Sequence, residues 1–263
     1  MNPLMGMVNG GEMMYRWPPA PAEAELVVPR VSNIIAQIAR PELKRMAVRG
    51  AAEYAVDEVL YWAEELPRDA AVAKIIHEAD ARRDAAGSRG TAIHRIVEQL
   101  LCGGEADDVD PDLLPYVAQA QQFLDDWMLE PLAIEATVYS RDYRYAGTAD
   151  LFAGLRQYGV GVVDWKSGRP HPNHAIQLAG YANGEFIGHE NSDTADVPEC
   201  DLGVIVYLNA DADTYDARIV DVSPTARPFK TFVAARTLLR WNDEHATEAM
   251  ATKLEEEPTA QTA

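Results

Sequence analysis

Residues 131 to 168, PLAIEATVYSRDYRYAGTADLFAGLRQYGVGVVDWKSG, decide the fold. Upstream, apolar residues recur at helical spacing. From Pro131 the period falls from about 3.6 toward 2 residues, and β-branched and aromatic side chains crowd into LAIEATVYS, YRYAGTADLFAGL and GVGVVDWKS. The pattern predicts three strands joined by tight turns. Downstream, His174 to Ile187 returns to helical spacing, Leu202 to Leu208 and Ala217 to Val222 read as strands, and Pro228 to Leu254 reads as a long closing helix. The order β-β-β-α-β-β-α implies an α/β fold with one mixed sheet.

Working back toward the N-terminus, the stretch from residue 29 to 130 is helical in pattern. Ser32 is placed to N-cap Ile34 to Arg40, and Pro41 to sit in the first turn of PELKRMAVRGAAEYAVDEVLYWAEE. A helix over Ala70 to Asp84 is followed by Gly87-Ser88-Arg89-Gly90, then by TAIHRIVEQLL, whose apolar face is Ile93, Ile96, Val97, Leu100 and Leu101 and whose stop is Gly103-Gly104. EADDVDPD is a solvated loop, and Leu113 to Leu129 a further helix. Residues 1 to 28, rich in Met, Gly and Pro, form a flexible or loosely docked arm, and 256 to 263 a frayed tail. The expected organisation is a helical part, 29 to 130, forming one domain with an α/β core, 131 to 255.

With 48% apolar and 25% charged residues the chain is neither disordered nor fibrous. Its two cysteines, Cys102 and Cys200, are too few for a disulfide framework, a four-thiolate zinc site or an iron–sulfur cluster, and they point to a reducing, cytoplasmic setting. No apolar run nears the roughly 20 residues that span a bilayer, and the N-terminus lacks the basic start and apolar middle of a secretion signal. The net charge of −19 argues against a protein that coats nucleic acid with its whole surface. Carboxylates gathered to hold divalent cations also make a chain acidic, so the sign of the charge leaves a metal-dependent enzyme open.

The chemistry concentrates at VVDWKSG. Asp164 and Lys166 lie two apart, so on a strand they share a face, and Gly168 ends the strand beyond them. Alone, such a pair is equally the mark of a surface salt bridge. The preceding strand adds Asp150 in Gly147-Thr148-Ala149-Asp150, where glycine permits close approach of another segment, and antiparallel pairing brings Asp150 toward Asp164. Two carboxylates crowded at a sheet repel each other and lose hydration, a cost that a divalent cation removes.

GTADLF followed by VVDWKSG, then Gln177 and Tyr181 in AIQLAGYANG, with GTAIHRIVEQLL upstream, resembles the PD-(D/E)XK nuclease superfamily in its RecB-like, phage-type exonuclease branch. The four motifs span residues 88 to 189 in the family's order, and VPRVSNIIAQIARPELKRMAVRGAAEYA is similar to leading segments of phage-encoded members. The resemblance implies a restriction-endonuclease-like mixed central sheet flanked by helices, with an N-terminal helical extension. It implies Asp150 and Asp164 as metal-binding acids, Lys166 as the lysine that orients or activates the attacking water, His94 as a metal ligand from a helix, and the backbone carbonyl of Trp165 as a further oxygen ligand. Gln177 and Tyr181 match the family's Q-x-x-x-Y helix, and Glu135 a glutamate found in some relatives, although alternation in AIEATVYS leaves its face open.

One or two Mg2+ or Mn2+ ions suit the mostly oxygen donor set, His94 favouring Mn2+, and no iron–sulfur cluster is expected. Lys44, Arg45 and Arg49, then Arg82, Arg83, Arg89 and Arg95, and Arg169 beside the site, supply local positive charge for DNA; the plainer reading pairs the helical ones with Glu78, Asp80 and Asp84. His171 and His174 stay outside the expected site. The expected function is metal-dependent DNA exonuclease activity in recombination, repair or processing, in the cytoplasm (a host's, if phage-encoded), with a recombination or single-strand-binding partner and an oligomer both open. A catalytically silent module of the same fold is the alternative; a glycosidase-like acid/base pair is disfavoured by Lys166 beside the acids.

Overall fold

The computed structural model describes residues 5–7, 13–16, 27–38, 41–62, 66–104, 109–189, 193–246 and 249. Chain order begins with β1 (Met5–Met7), β2 (Met13–Arg16) and β3 (Val27–Pro29), a small antiparallel sheet. Helices α1 (Val31–Ala36), α2 (Pro41–Trp62), α3 (Arg68–Leu101) and α4 (Leu114–Trp127) follow, the last led in by a 3-10 turn at Pro111–Leu113. The meander is β4 (Met128–Ser140), β5 (Tyr145–Leu155) and β6 (Gly159–Lys166). Then come α5 (Pro172–Ala182), β7 (Phe186–Gly188), β8 (Thr194–Asp196), β9 (Leu202–Tyr207), β10 (Asp216–Val220) and α6 (Arg227–Arg240), which runs into a π-turn at Trp241–His245.

Seven strands form one sheet in the order β10-β9-β6-β5-β4-β7-β8, antiparallel except for the parallel pair β6 and β9. Helices cover both faces, which is why β6 and β9 are buried along nearly their whole length. On one face Val162 and Ile205 pack with Ile34 of α1, Ile176 of α5 and Phe232 of α6. On the other, Val163, Trp165 and Val206 pack with Ile93 and Val97 of α3 and Phe123 of α4.

The β4–β5 pair shifts register between Met128 and Glu130 and between Pro131 and Ala133, and strand alternation breaks again beyond these. In β5, Ala149 packs on the α1/α5 side but Leu151 on the α3/α4 side; in β4, Ala136 and Ile134 are split the same way. An unbroken strand keeps residues two apart on one face. The register Ala136↔Ala149 and Ile134↔Leu151 places the reversal at Glu135 and Asp150, opposite each other, and Glu135 has φ +46. A backbone irregularity of this kind re-aims side chains and costs about 1 to 3 kcal/mol that the surrounding packing must offset.

Gly147 makes the close approach that its sequence context suggests. A Cβ built there would lie 2.6 Å from Val31 Cγ2 and 2.7 Å from Tyr181 Cε1, so the missing side chain is what lets α1 and α5 seat on β5. Gly147→Ala is expected to destabilise the fold by about 1 to 3 kcal/mol through overpacking, read as a lowered urea midpoint; a change under about 0.5 kcal/mol would refute the tight seat.

Several sequence expectations need correcting. Arg30, in extended conformation, stands at the start of α1, while Ser32 lies exposed inside its first turn and caps nothing. Residues 68 to 101 are one continuous helix through Gly87-Ser88-Arg89-Gly90, ended by Gly103 at φ +78 as expected. The stretch 174 to 187 is helical only to Ala182, and its apolar end Phe186–Gly188 is a strand. Residues 13–16 and 27–29, assigned to a flexible arm, are strands, with Tyr15 and Val28 buried against Tyr139, Ala146 and Phe186. Half of EADDVDPD (105–108) and the tail 256 to 263 lie outside the described residues, and the end of that expected loop is the 3-10 turn from Pro111. Among the described residues no helix is long and apolar enough to cross a membrane.

Candidate metal and active site

The break at Glu135 and Asp150 is where the expected residues meet. The β5–β6 register, Leu151↔Val163, carried one step further sets Asp150 across from Asp164, a separation of about 4.5 to 5.5 Å between Cβ atoms in such pairs. Asp150 is buried and held at both oxygens: Oδ2 accepts the backbone N–H of Trp165 at 2.9 Å, and Oδ1 lies 3.3 Å from Nδ1 of His94. The histidine reaches in from α3, which Ile93 and Val97 anchor in the core, and its Nε2 is 2.9 Å from the Trp165 carbonyl oxygen. Ligand atoms of His94, Glu135 and Asp150 all lie within 4.8 Å of one another.

Asp164 is 1% exposed; the ammonium of Lys166 pairs with its Oδ2, and its Oδ1 meets no hydrogen-bond donor among the described residues. A buried carboxylate oxygen without a donor is costly, and such groups call for an explanation. Burial pushes its pKa up to about 6 against the pull of Lys166, with Asp150 adding to the rise. Burial and the neighbouring Asp150 likewise push Glu135 up to about 7. For His94 burial works against the charged ring, but Asp150, and behind it Asp164, outweigh this and raise it to about 9. Asp150 is depressed because His94 and Lys166 overcome its own burial, and Lys166 is raised because Asp164 overcomes its own. The cluster holds its like charges together only through His94 and Lys166.

The donor set fits a hard divalent cation. Carboxylates, a backbone carbonyl and one imidazole converge, one carboxylate oxygen has no donor, and the 2.9 Å between His94 Nε2 and Trp165 O matches the roughly 3 Å between neighbouring ligands on an octahedral ion bound at about 2.1 Å.

A cavity of about 970 Å3 opens over the site, with His94, Arg95, Glu98 and Glu135 in its wall. Glu98, one helical turn beyond His94, also bears on Glu135 and was missed; its i+4 spacing from the histidine was the available signal. Arg95 is exposed on this cavity, whereas Arg169 lines a separate one of about 390 Å3 with Ser167, and Arg89 is exposed on α3. Tyr181 is buried behind Gly147 and its hydroxyl accepts the amide of half-buried Gln177 at 2.7 Å, so it acts through Gln177 and is not available to stack on a base. His174 Nδ1 is 3.0 Å from the hydroxyl of Tyr207, the β9 residue paired with Lys166. No protein-family model and no curated protein matches the chain, so its reading rests on this geometry.

Proposed function

We propose that the chain is a divalent-cation-dependent nuclease of the PD-(D/E)XK, RecB-like kind, with a restriction-endonuclease-like core, acting on DNA as an exonuclease. The observation that carries this is the meeting of Asp150, Asp164, Lys166 and His94, from β5, β6 and α3, with one buried oxygen of Asp164 left without a donor among the described residues. A salt bridge on a half-exposed strand needs none of the other groups.

Asp150, Asp164, His94 and the Trp165 carbonyl would hold Mg2+ or Mn2+, which when bound supplies Lewis acidity and neutralises charge on the phosphate oxygens. The rest falls to side chains. Lys166, kept protonated by Asp164, is a poor base and instead donates hydrogen bonds that orient the attacking water and oppose the charge developing on phosphorus. Glu135, in the cavity wall, accepts the water's proton at a carboxylate oxygen. The water oxygen bonds to phosphorus, the P–O ester bond in line with it breaks, and the leaving oxygen takes a proton from solvent in the open cavity. Gln177, steadied by Tyr181, and Arg95 hold the strand. Few basic groups line the cavity, so affinity is modest, and it falls with salt only in proportion to the few phosphates they contact.

End-labelled linear DNA and closed circular DNA, each incubated with Mg2+, Mn2+ or chelator, test the reading. Linear DNA is expected to be degraded only with cation while circles survive. Nicking of circles would make it an endonuclease; binding without cleavage under every cation would favour the catalytically silent module.

A further inference from the structure

Helices α2 and α3 form a hairpin that stands apart from the sheet. α2 packs on α3, which joins the core through Ile93, Val97 and Leu101. About 33 Å long, α2 half-buries Ala51, Tyr54 and Ala55 and leaves Arg45, Val48, Arg49, Ala52, Glu53, Val56 and Asp57 exposed. Val48 is 70% and Val56 71% exposed, and on α3 so are Val72 at 46% and Ile76 at 57%. Exposed β-branched residues at this density on a two-helix arm leave it short of the burial that stabilises helices in proteins.

We propose that α2 is a self-association surface, on which a second copy of this chain packs its own α2 antiparallel about a two-fold axis near Ala52. Three features of the segment select that occupant. Charge is uneven along it: Lys44, Arg45 and Arg49 stand with the single acid Glu42 before Ala52, and Glu53, Asp57 and Glu58 stand after it with no basic residue. Val48 and Val56 are equidistant from Ala52, so a two-fold there sets each Val48 against Val56 of the other copy, the self-complementary pattern of an isologous interface. At 100° per residue Arg49 and Glu53 lie about 60° and 100° from Ala52 on one flank of the helix, and in an antiparallel pair like flanks meet, so Arg49 of one copy faces Glu53 of the other. Arg49 already bonds Glu53 in its own helix at 2.7 Å, which presents both groups on that flank.

Net charge points to the same place. Two chains of −19 repel across most of their surface, yet segments 41–62 and 68–90 together carry eight basic and eight acidic side chains. The hairpin therefore carries no net charge, and two copies can meet there without the repulsion of their overall charge.

Sedimentation equilibrium of the full chain, at roughly 1 to 100 µM, is expected to give twice the 29.0 kDa chain mass. Val56→Glu is expected to weaken the dimer at least tenfold with an unchanged circular dichroism spectrum. Arg49→Glu and Glu53→Arg should each weaken it, and the two together in one chain should restore it, because the exchanged charges again face each other across the axis. A monomer throughout the range, a trimer or larger ring, or a dimer indifferent to Val56→Glu and to the charge exchange would each overturn the proposal. The measurement uses no nucleic acid or cation, so it stands or falls separately from the nuclease reading.

Discussion

Asp164→Asn is expected to cut cation-dependent DNA hydrolysis by at least about a thousandfold while leaving the protein folded and, without cation, no less stable. The carboxylate is enclosed, with Oδ1 meeting no donor among the described residues and Oδ2 balanced by Lys166. Asparagine removes a buried charge whose pKa burial has already driven up to about 6, so at pH 8 the metal-free fold loses an unfavourable group. Lys166 keeps Asp150 as a counter-charge. Lys166→Ala makes the informative contrast: it leaves Asp164 and Asp150 facing each other with less opposing charge and is expected to lose both activity and about 3 kcal/mol of stability at pH 8. Urea unfolding beside the end-labelled assay separates the cases. If the pair were only a structural salt bridge, the two variants would destabilise alike and cleavage would survive; Asp164→Asn retaining more than a tenth of activity would sink the catalytic assignment.

The site was legible in sequence to the extent that strand geometry repeats. Asp164 and Lys166 share a face because side chains alternate, and the short turns after Ser140 and Leu155 fix the meander that sets Asp150 across from Asp164. Glu135 was illegible for the complementary reason: its face depends on a positive φ that a non-glycine residue adopts only under pressure from its surroundings. The continuity of α3 was hidden as well. Two glycines in four residues cost a helix roughly 2 kcal/mol, and propensity reads them as a break, but Ile93 and Val97 anchored in the core hold the helix together. Without that continuity, the position of His94 beside Asp150 does not follow from the motif. Likewise the strands at 13–16 and 27–29 exist because Tyr15 and Val28 find Tyr139 and Phe186, a tertiary contact that Pro-rich flanks give no hint of.

Divalent cation is expected to raise the melting temperature, and by more at pH 8 than at pH 6. In the metal-free protein three groups titrate high. His94, at about 9 instead of 6.5, contributes stability that is complete below pH 6.5 and is lost as pH rises through 9. Glu135, at about 7 instead of 4.5, and Asp164, at about 6 instead of 3.8, are raised acids, so the fold gains from their protonated forms at low pH and loses that gain as pH passes 6 and 7. All three slopes run the same way, and metal-free stability falls between about pH 5 and 9. Asp150 is depressed and Lys166 raised, so both keep their charge throughout this window. A cation needs the imidazole neutral and the carboxylates ionised, so it must displace the proton of His94 and, near neutrality, part of one from Glu135. Affinity should therefore rise at least about tenfold per pH unit from 6 to 8, with one to two protons released per cation near pH 7. Calorimetry with Mn2+ in two buffers of different ionisation enthalpy counts those protons directly, and Asp150→Asn should abolish both the heat and the melting shift. A shift independent of pH, or one that survives Asp150→Asn, would mean the ion binds elsewhere and that His94 and Lys166 alone balance the carboxylates.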